Sequence, residues 1–319
     1  SIFFPKRLQG TALGIQAGLG NFGVSLTQFV TPWIISFAAL GTAVGGPQVF
    51  TKVDPKTKAV LSQSEIWVQN AAFWYVIPLI ILGILAWVKL KSIPVKASVK
   101  EQFDIFGNKH TWFCTMTYIM TFGCFSGLSA AFPMLIKTLY TKFPGGPDPL
   151  KYAFYGPLIG SASRVLFGFV ADKIGGAILT HVTGIALFLG VLALIVTGSI
   201  TPTGLDSFPM FVGIMLTLFF FTGVGNAATF RQYPIIFGHS PRQASGVIGW
   251  TAAMAAYGPF LFNSIIGSVI KGTTEKDAAG TIIKAGEPTA FFIGLMVFVF
   301  IATVINWWYY TRKGCEKPC

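Results

Sequence analysis

The chain has 319 residues, of which 53% are hydrophobic and only 11% are charged, and its mean hydropathy is +0.66. A soluble protein usually carries about 25% charged residues, so most of this surface is expected to face lipid rather than water. The formal net charge of +12 does not indicate nucleic-acid binding, because the Lys and Arg residues are scattered through short connections and form no basic face.

Apolar runs of about 20 residues recur along the chain, and each is long enough to cross a bilayer. They predict an all-α polytopic membrane protein with eight membrane helices, preceded by a short stub at 1–4 that resembles the end of an earlier helix. Glycine- and proline-rich stretches such as FPGGPDP at 143–149 separate the helices. The predicted helices cover residues 8–39, 68–90, 111–138, 151–171, 177–198, 208–236, 243–270 and 288–310.

Two patterns predict how these helices are arranged. Placing the basic tail after residue 311 in the cytoplasm makes the cytoplasmic connections richer in Lys and Arg than the outer ones. The stretch at 7–28 aligns without a gap with 242–263, which places matching helices six apart, the internal symmetry of major facilitator transporters. The chain, which begins in the middle of this pattern, is then expected to be N-terminally truncated and to hold helices 5–12 of twelve. The predicted domains are 1–90 (the end of the N-terminal half), 91–110 (a cytoplasmic linker) and 111–319 (the C-terminal half and tail).

Arg164 lies near the middle of the predicted membrane helix YAFYGPLIGSASRVLFGFVA. A charge at this depth costs at least about 2.5–3.5 kcal/mol on insertion scales. No Asp or Glu falls inside the core of a predicted helix, so the sequence shows no partner for Arg164 within this chain. A guanidinium offers a planar fork of donors that suits a planar oxyanion. We therefore expect an anion site at Arg164, with an ion pair to a residue outside this chain as the alternative.

Polar and aromatic residues in two other helices are further candidates. Gly14 and Gly18 have the GxxxG spacing that lets membrane helices approach closely. Asn21 lies in the same stripe of small residues, where an amide needs a partner or a water-filled path, and is expected to line a cavity. Tyr118 and Phe122 lie on the third helix. Such aromatics usually pack in a core, but a phenol can also donate to an oxyanion and a ring can cover a flat ion.

The sequence GFVADKIGG at 168–176 resembles the signature loop of major facilitator proteins, which latches helices in one access state. Its candidate residues are Gly168, Asp172, Lys173 and Gly175. Gly176 stands where the second basic residue is usual. Asp172 is also suited to interact with the positive N-terminal dipole of a neighbouring helix.

ALGIQAGLGNFGVSLTQ at 12–28 resembles the first nitrate signature of the nitrate/nitrite porter (NarK-type) family of the major facilitator superfamily. The core of that signature is Gly18-Leu19-Gly20-Asn21-Phe22-Gly23. SGVIGWTAAMAAYG at 245–258 occupies the place of the second signature and keeps Gly249 and Gly258, but has alanine at 253, 255 and 256. The stretch GVGNAATFRQYPIIF at 223–237 is also similar to some members.

The resemblance implies the major facilitator fold and roles for four residues. Arg164 corresponds to one of two arginines that clamp the substrate, and Tyr118 to a tyrosine that hydrogen-bonds nitrate. Phe122 corresponds to an aromatic residue that packs against the nitrate, and Asn21 to the signature asparagine near the site. The signature glycines Gly14, Gly18, Gly20, Gly23, Gly249 and Gly258 are expected to serve helix packing.

The expected function is transport of nitrate, nitrite or both by alternating access, in the plasma (inner) membrane of a prokaryote, by a monomer with a cytoplasmic C-terminus. The lack of intramembrane carboxylates favours nitrate/nitrite exchange over proton symport.

The alternatives are a proton-coupled nitrate symporter, a carrier for another small anion, an organic anion or a drug, an anion channel and a membrane-embedded enzyme. The three His and eleven acidic residues form no catalytic group in the sequence. No cofactor or metal is expected, because Cys114, Cys124, Cys315 and Cys319 fit no zinc spacing and are predicted to be free thiols.

Overall fold

The structure, a computed structural model, describes residues 4–38, 45–53, 60–91, 98–277 and 282–319. The first long helix, α1, covers Gln9–Ile34. Seven further helices in the described part are long and apolar enough to cross a membrane. They are α2 (Asn70–Lys89), α3 (Lys109–Leu139), α4 (Pro149–Ile174), α5 (Gly176–Val196), α6 (Phe208–Ile236), α7 (Pro241–Thr273) and α8 (Thr289–Thr311).

All eight predicted membrane helices are therefore present as helices, and the all-α polytopic fold class is confirmed. α1 is 26 residues long, but its amides and glycines lower its hydropathy, and it is not among the seven. It also ends earlier than predicted, at Ile34, where the Ser36 hydroxyl donates to the carbonyl of Trp33 at 2.6 Å. The end predicted at residue 39 and most of the stub at 1–4 lie outside the described residues.

Three membrane helices are interrupted by a proline, which was not predicted. α2 consists of Asn70–Phe73 and Val76–Lys89, α4 of Pro149–Ala153 and Tyr155–Ile174, and α7 of Pro241–Ala255 and Gly258–Thr273. A proline follows each break (Pro78, Pro157 or Pro259), and it has no N–H for a helical hydrogen bond to the carbonyl four residues before it. In α7 the hydroxyl of Ser126 donates instead to the freed carbonyl of Ala255, at 3.3 Å.

Helix α3 changes its winding near its middle. Its α-helical parts, Lys109–Tyr118 and Cys124–Leu139, are joined by a π-helical stretch at Ile119–Gly123. A second π-helical stretch, Trp307–Thr311, ends α8, whose α-helical part is Thr289–Asn306. The π-helix is rare and often occurs at functional sites. In α3 it begins directly after Tyr118.

The connections contain short elements that sequence patterns did not predict. Two antiparallel hairpins pair β1 (Gln48–Val53) with β2 (Val60–Ile66), and β3 (Glu275–Lys276) with β4 (Ile282–Lys284). Single helical turns cover Lys6–Leu8, Val99–Gln102 and Phe103–Gly107. These elements are too short to show a clear period in the sequence.

The chain divides into two compact units, residues 1–25 with 98–319, and residues 26–97. In the larger unit α6 packs against α4 and α5, α5 against α8, and α3 against α7. The buried aromatic residues Phe125, Phe132, Phe211, Phe219 and Phe292 belong to its main apolar cluster. In the smaller unit Asn70 Nδ2 on α2 donates to the carbonyl of Phe37 at 2.8 Å. The predicted halves, 1–90 and 111–319 with a linker at 91–110, stay a prediction.

Gly223 lies where α6 crosses α4, and a Cβ added there would overlap the hydroxyl of Ser163 and the carbonyl of Gly160. Gly223→Ala is therefore expected to force the two helices apart and to lower the free energy of unfolding by about 1–3 kcal/mol. Thermal unfolding of the detergent-purified protein measures this loss. Gly213→Ala on the same helix is the matched control, because an added Cβ there meets nothing within 4 Å. Equal melting temperatures for the two variants would contradict the tight crossing.

Candidate functional site

Arg164 lies on α4 with only 1% of its surface exposed. Its Nη2 donates to the hydroxyl of Tyr118 on α3 at 3.3 Å. On the other side, Nη1 of Arg164 donates to Oδ1 of Asn21 on α1 at 2.8 Å, and the Asn21 amide nitrogen donates to the carbonyl of Ala17 at 3.3 Å. The amide is assigned in this orientation because the reverse one would place its nitrogen against the Arg164 donor and its oxygen against the Ala17 acceptor. Three residues predicted for one site thus meet around one guanidinium.

Aromatic rings enclose the guanidinium. The rings of Tyr118 and Phe122 are stacked with centroids 5.3 Å apart and an interplanar angle of 10°. Phe230 of α6 stacks on Tyr118 from 4.9 Å. The Cζ of Arg164 lies 4.8 Å from the ring centroid of Phe230 and 5.8 Å from that of Phe122. These are cation–π distances, so the rings stabilise the charge while they exclude water.

The charge of Arg164 has no carboxylate partner, since none of the ion pairs found among the described residues involves it. Its Nε is buried and has no acceptor in the described part of the chain. An arginine stays protonated in proteins. Since Nε and Nη2 form one edge of the guanidinium plane, an oxyanion on that edge would lie beside the Tyr118 hydroxyl. The arrangement is suited to bind a small anion.

Glycines bring α1 close enough for Asn21 to reach Arg164. A Cβ added at Gly14 would lie 3.0 Å from Gly168 Cα, and one added at Gly18 would lie 3.2 Å from Val165 N. Both glycines therefore lie against the backbone of α4. Of the other signature glycines, Gly258 lies against α3, whereas an added Cβ at Gly20, Gly23 or Gly249 meets no described atom within 4 Å. A packing role for these last three stays a prediction.

Asp172, at the end of α4, caps the start of α1. It accepts hydrogen bonds from the backbone N–H groups of Gly10 at 2.9 Å and Thr11 at 2.7 Å, and from the Thr11 hydroxyl at 2.7 Å. These N–H groups belong to the first turn of a helix, where the dipole favours a negative charge. Arg231 Nε of α6 lies 2.8 Å from Asp172 Oδ1. One carboxylate therefore connects three helices.

The other residues of this loop have separate tasks. Gly168 lies against α1, because an added Cβ would come 2.7 Å from the carbonyl of Gly10. Gly175 ends α4 with φ +104°, a conformation that favours glycine. Lys173 is exposed.

Sequence reasoning missed Phe230, although the stretch 223–237 that contains it was noted. The signal for Phe230 is its position on α6, where Phe219, Asn226, Phe230 and Tyr233 follow one another at spacings of 7, 4 and 3 residues and so lie on one helical face. That signal is weak, because α6 carries apolar residues on every side. The tertiary packing of α6 against α3 and α4 identifies the face that matters.

The histidines and cysteines lie elsewhere. His110 contacts the Tyr310 hydroxyl at 2.8 Å and Glu316 Oε1 at 3.1 Å, which ties the tail to the start of α3. Hydrogen bonding to Lys109 holds the pKa of Glu316 below its ordinary value. Burial raises the pKa of the Cys319 thiol to about 12. All four cysteines are free thiols, and the described residues contain no group of His, Cys, Asp and Glu able to hold a metal.

Known proteins similar to this chain are membrane transporters. The chain is 59% identical to "Probable nitrate/nitrite antiporter NarK2" of Thermus thermophilus over 320 residues, which covers 100% of the chain and 67% of that protein. It is 32% identical to "Nitrate/nitrite transporter NarU" of Escherichia coli over 338 residues, which covers 98% of the chain and 66% of that protein. The chain thus spans about two thirds of the length of these relatives.

Among solved structures, a variant of the Escherichia coli fucose:proton symporter FucP matches with a TM-score of 0.54 over 95% of this chain and 70% of that one. At 16% identity this likeness concerns the fold alone. No family model matches the chain.

Replacing Asp172 tests the three-helix contact. Asp172→Asn leaves Arg231 without its counter-charge and turns an amide donor toward other donors. We expect a loss of about 3 kcal/mol in the free energy of unfolding, since removing one partner of a buried ion pair leaves the other charge buried without a counter-charge. Thermal unfolding in detergent measures it, with Lys173→Gln as the control at the exposed neighbouring position. If the two variants have the same melting temperature, Asp172 does not hold these helices together.

Proposed function

Because the chain belongs to the nitrate/nitrite transporter family of the major facilitator superfamily, we propose that its protein moves nitrate and nitrite across a membrane by alternating access. The observation that carries the proposal is the buried guanidinium of Arg164. It has a hydroxyl partner in Tyr118, a buried Nε without an acceptor among the described residues, and no carboxylate beside it.

The guanidinium edge matches a flat, singly charged oxyanion. Two oxygens of nitrate, or both oxygens of nitrite, accept from Nε and Nη2 in a bidentate pair. The Tyr118 hydroxyl, 3.3 Å from Nη2, turns to donate to the same anion. Asn21 accepts from Nη1 and so fixes the plane of the fork. In surroundings with a low effective dielectric constant, this attraction is much stronger than in water.

The aromatic rings favour a small substrate. Phe122 and Phe230 lie 5.8 Å and 4.8 Å from the centre of the guanidinium, and Tyr118 stacks between their two rings. Rings this close to the guanidinium favour a small, flat ion. A bulky organic anion would have to separate α3 from α6, so such a carrier, or a drug carrier, is the weaker proposal.

The charge distribution favours exchange. Asp172 is the single carboxylate within α1–α8, and it is held by Arg231 and by the start of α1. Among the described residues, the site therefore offers no titratable carboxyl to couple transport to protons. An empty site would leave the Arg164 charge buried without a counter-ion, which is costly. The carrier then reorients readily when an anion occupies the site, and uptake of one anion requires release of another.

The Asp172 contact is suited to act as a latch in this cycle. Its hydrogen bonds to Gly10 and Thr11 join α1 to α4 and α6. In the predicted topology this contact lies at the cytoplasmic side, and it must break when that side opens. The protein itself is proposed to be a monomeric carrier without enzymatic activity, in the inner membrane of a prokaryote, with its C-terminus in the cytoplasm.

Arg164→Lys in the intact protein tests the site. Lysine keeps the charge but loses the planar fork, so nitrate affinity and transport are expected to fall by roughly tenfold to a hundredfold, the effect of losing a hydrogen bond to an ion. Nitrate uptake by proteoliposomes measures this. Arg242→Lys changes a more exposed arginine, paired with Asp104, and serves as the control. Normal uptake by Arg164→Lys would remove Arg164 from the substrate site.

The coupling mechanism has its own test. Proteoliposomes loaded with nitrite are expected to take up labelled nitrate without a pH gradient, and liposomes with no internal anion are expected to take up little. Saturating uptake accelerated by internal nitrite indicates a carrier rather than a channel. Uptake that requires an inward proton gradient and ignores internal nitrite would overturn exchange in favour of symport.

A further inference from the structure

Asn226 of α6 is a fully buried amide whose two polar atoms have no hydrogen-bond partner in the described part of the chain. The other buried amide side chains differ. Asn306, Gln232 and Asn70 each bond to a protein group, for example Gln232 Nε2 to Asn306 Oδ1 at 3.1 Å. Burying an amide without a partner is unfavourable, so a group other than the described residues is the natural partner of Asn226.

The position of Asn226 points to the Arg164 site. It lies one helical turn, about 6 Å along the axis, from Phe230, whose ring centroid is 4.8 Å from the Arg164 guanidinium. On the helical wheel it lies between Gly223, which packs on α4, and Gly225, which packs against Thr121 of α3 and Thr183 of α5. Asn226 therefore faces between the two helices that present Arg164 and Tyr118.

Arg164 and Asn226 each have a buried donor group that could bind the same ligand. Arg164 Nε and Asn226 Nδ2 are both buried donors that lack acceptors among the described residues, and they belong to helices packed directly on each other. An oxyanion on the guanidinium edge is rich in acceptors. The Asn226 side chain makes no hydrogen bond to the described residues that would have to break before it bound such an anion.

We propose that Asn226 is a substrate-binding residue that donates to the oxygen of nitrate that points away from Arg164. The inference rests on the proposed function and adds a residue and a basis for discrimination to it. Nitrate has a third oxygen when two are held by the guanidinium. Nitrite has no third oxygen, and it presents only a nitrogen lone pair there. Asn226 therefore favours nitrate over nitrite.

The test compares the affinities of the two anions in the intact, detergent-purified protein by isothermal titration calorimetry. Asn226→Ala is expected to weaken nitrate binding about tenfold, the effect of one hydrogen bond to an ion, and to change nitrite binding by less than threefold. Asn226→Ser keeps a short donor and is expected to lie between wild type and Asn226→Ala. It also replaces Asn226→Ala if that variant does not fold.

Asn306→Ala is the matched control, since Asn306 is equally buried but bonds to Gln232 and to the carbonyl of Ala177. It is expected to lower the melting temperature without changing the ratio of nitrate to nitrite affinity. Asn226→Ala is expected to change that ratio with a smaller effect on the ligand-free melting temperature.

Two results overturn the inference alone. In the first, the wild type binds nitrate and nitrite, and the Asn226→Ala variant binds nitrate with unchanged affinity. In the second, Asn226→Ala weakens the binding of both anions equally and lowers the melting temperature, which is the behaviour of a packing residue. A wild type that binds neither anion overturns the proposed function itself, which distinguishes the two failures.

Discussion

The buried charge of Arg164 is the constraint on which the rest of this structure depends. A guanidinium in the middle of a membrane protein is costly unless it is solvated by the protein. Tyr118, Asn21 and two aromatic rings provide part of that solvation. None of them is negatively charged, and Nε is left without an acceptor among the described residues. The protein thus keeps a cation that is stabilised but not neutralised, which is the condition for binding and releasing an anion.

The contact between α1 and α4 links this site to the start of α1 and the end of α4. Gly14 and Gly18 let the backbones touch, and that proximity puts Asn21 beside Arg164. Farther along, Asp172 caps the first turn of α1. A shift of α1 along α4 would disturb both contacts together. Packing of small residues, rather than a loop, therefore joins the proposed anion site to the Asp172 contact.

Much of the fold was predictable because membrane helices have a strong local signal. Apolar length located all eight helices, and the position of Arg164 inside a predicted membrane helix marked the candidate site without any knowledge of its neighbours. Tyr118 and Phe122 were candidates by resemblance, since aromatic residues alone do not distinguish a site from a core. Phe230, Asn226 and the π-helical stretch at Ile119–Gly123 were missed. α6 is apolar on every side, so its sequence does not show which face meets Arg164.

The sequence by itself determined the class of protein, the helices and the presence of an uncompensated intramembrane charge, because these follow from composition and from the length of apolar runs. Only the tertiary structure decided which groups surround that charge. Asn21, Tyr118, Arg164 and Phe230 come from four helices that are far apart along the chain, and their meeting depends on how glycines, prolines and aromatic rings pack. The same packing left the Asn226 amide without a protein partner, a fact that no local pattern carries.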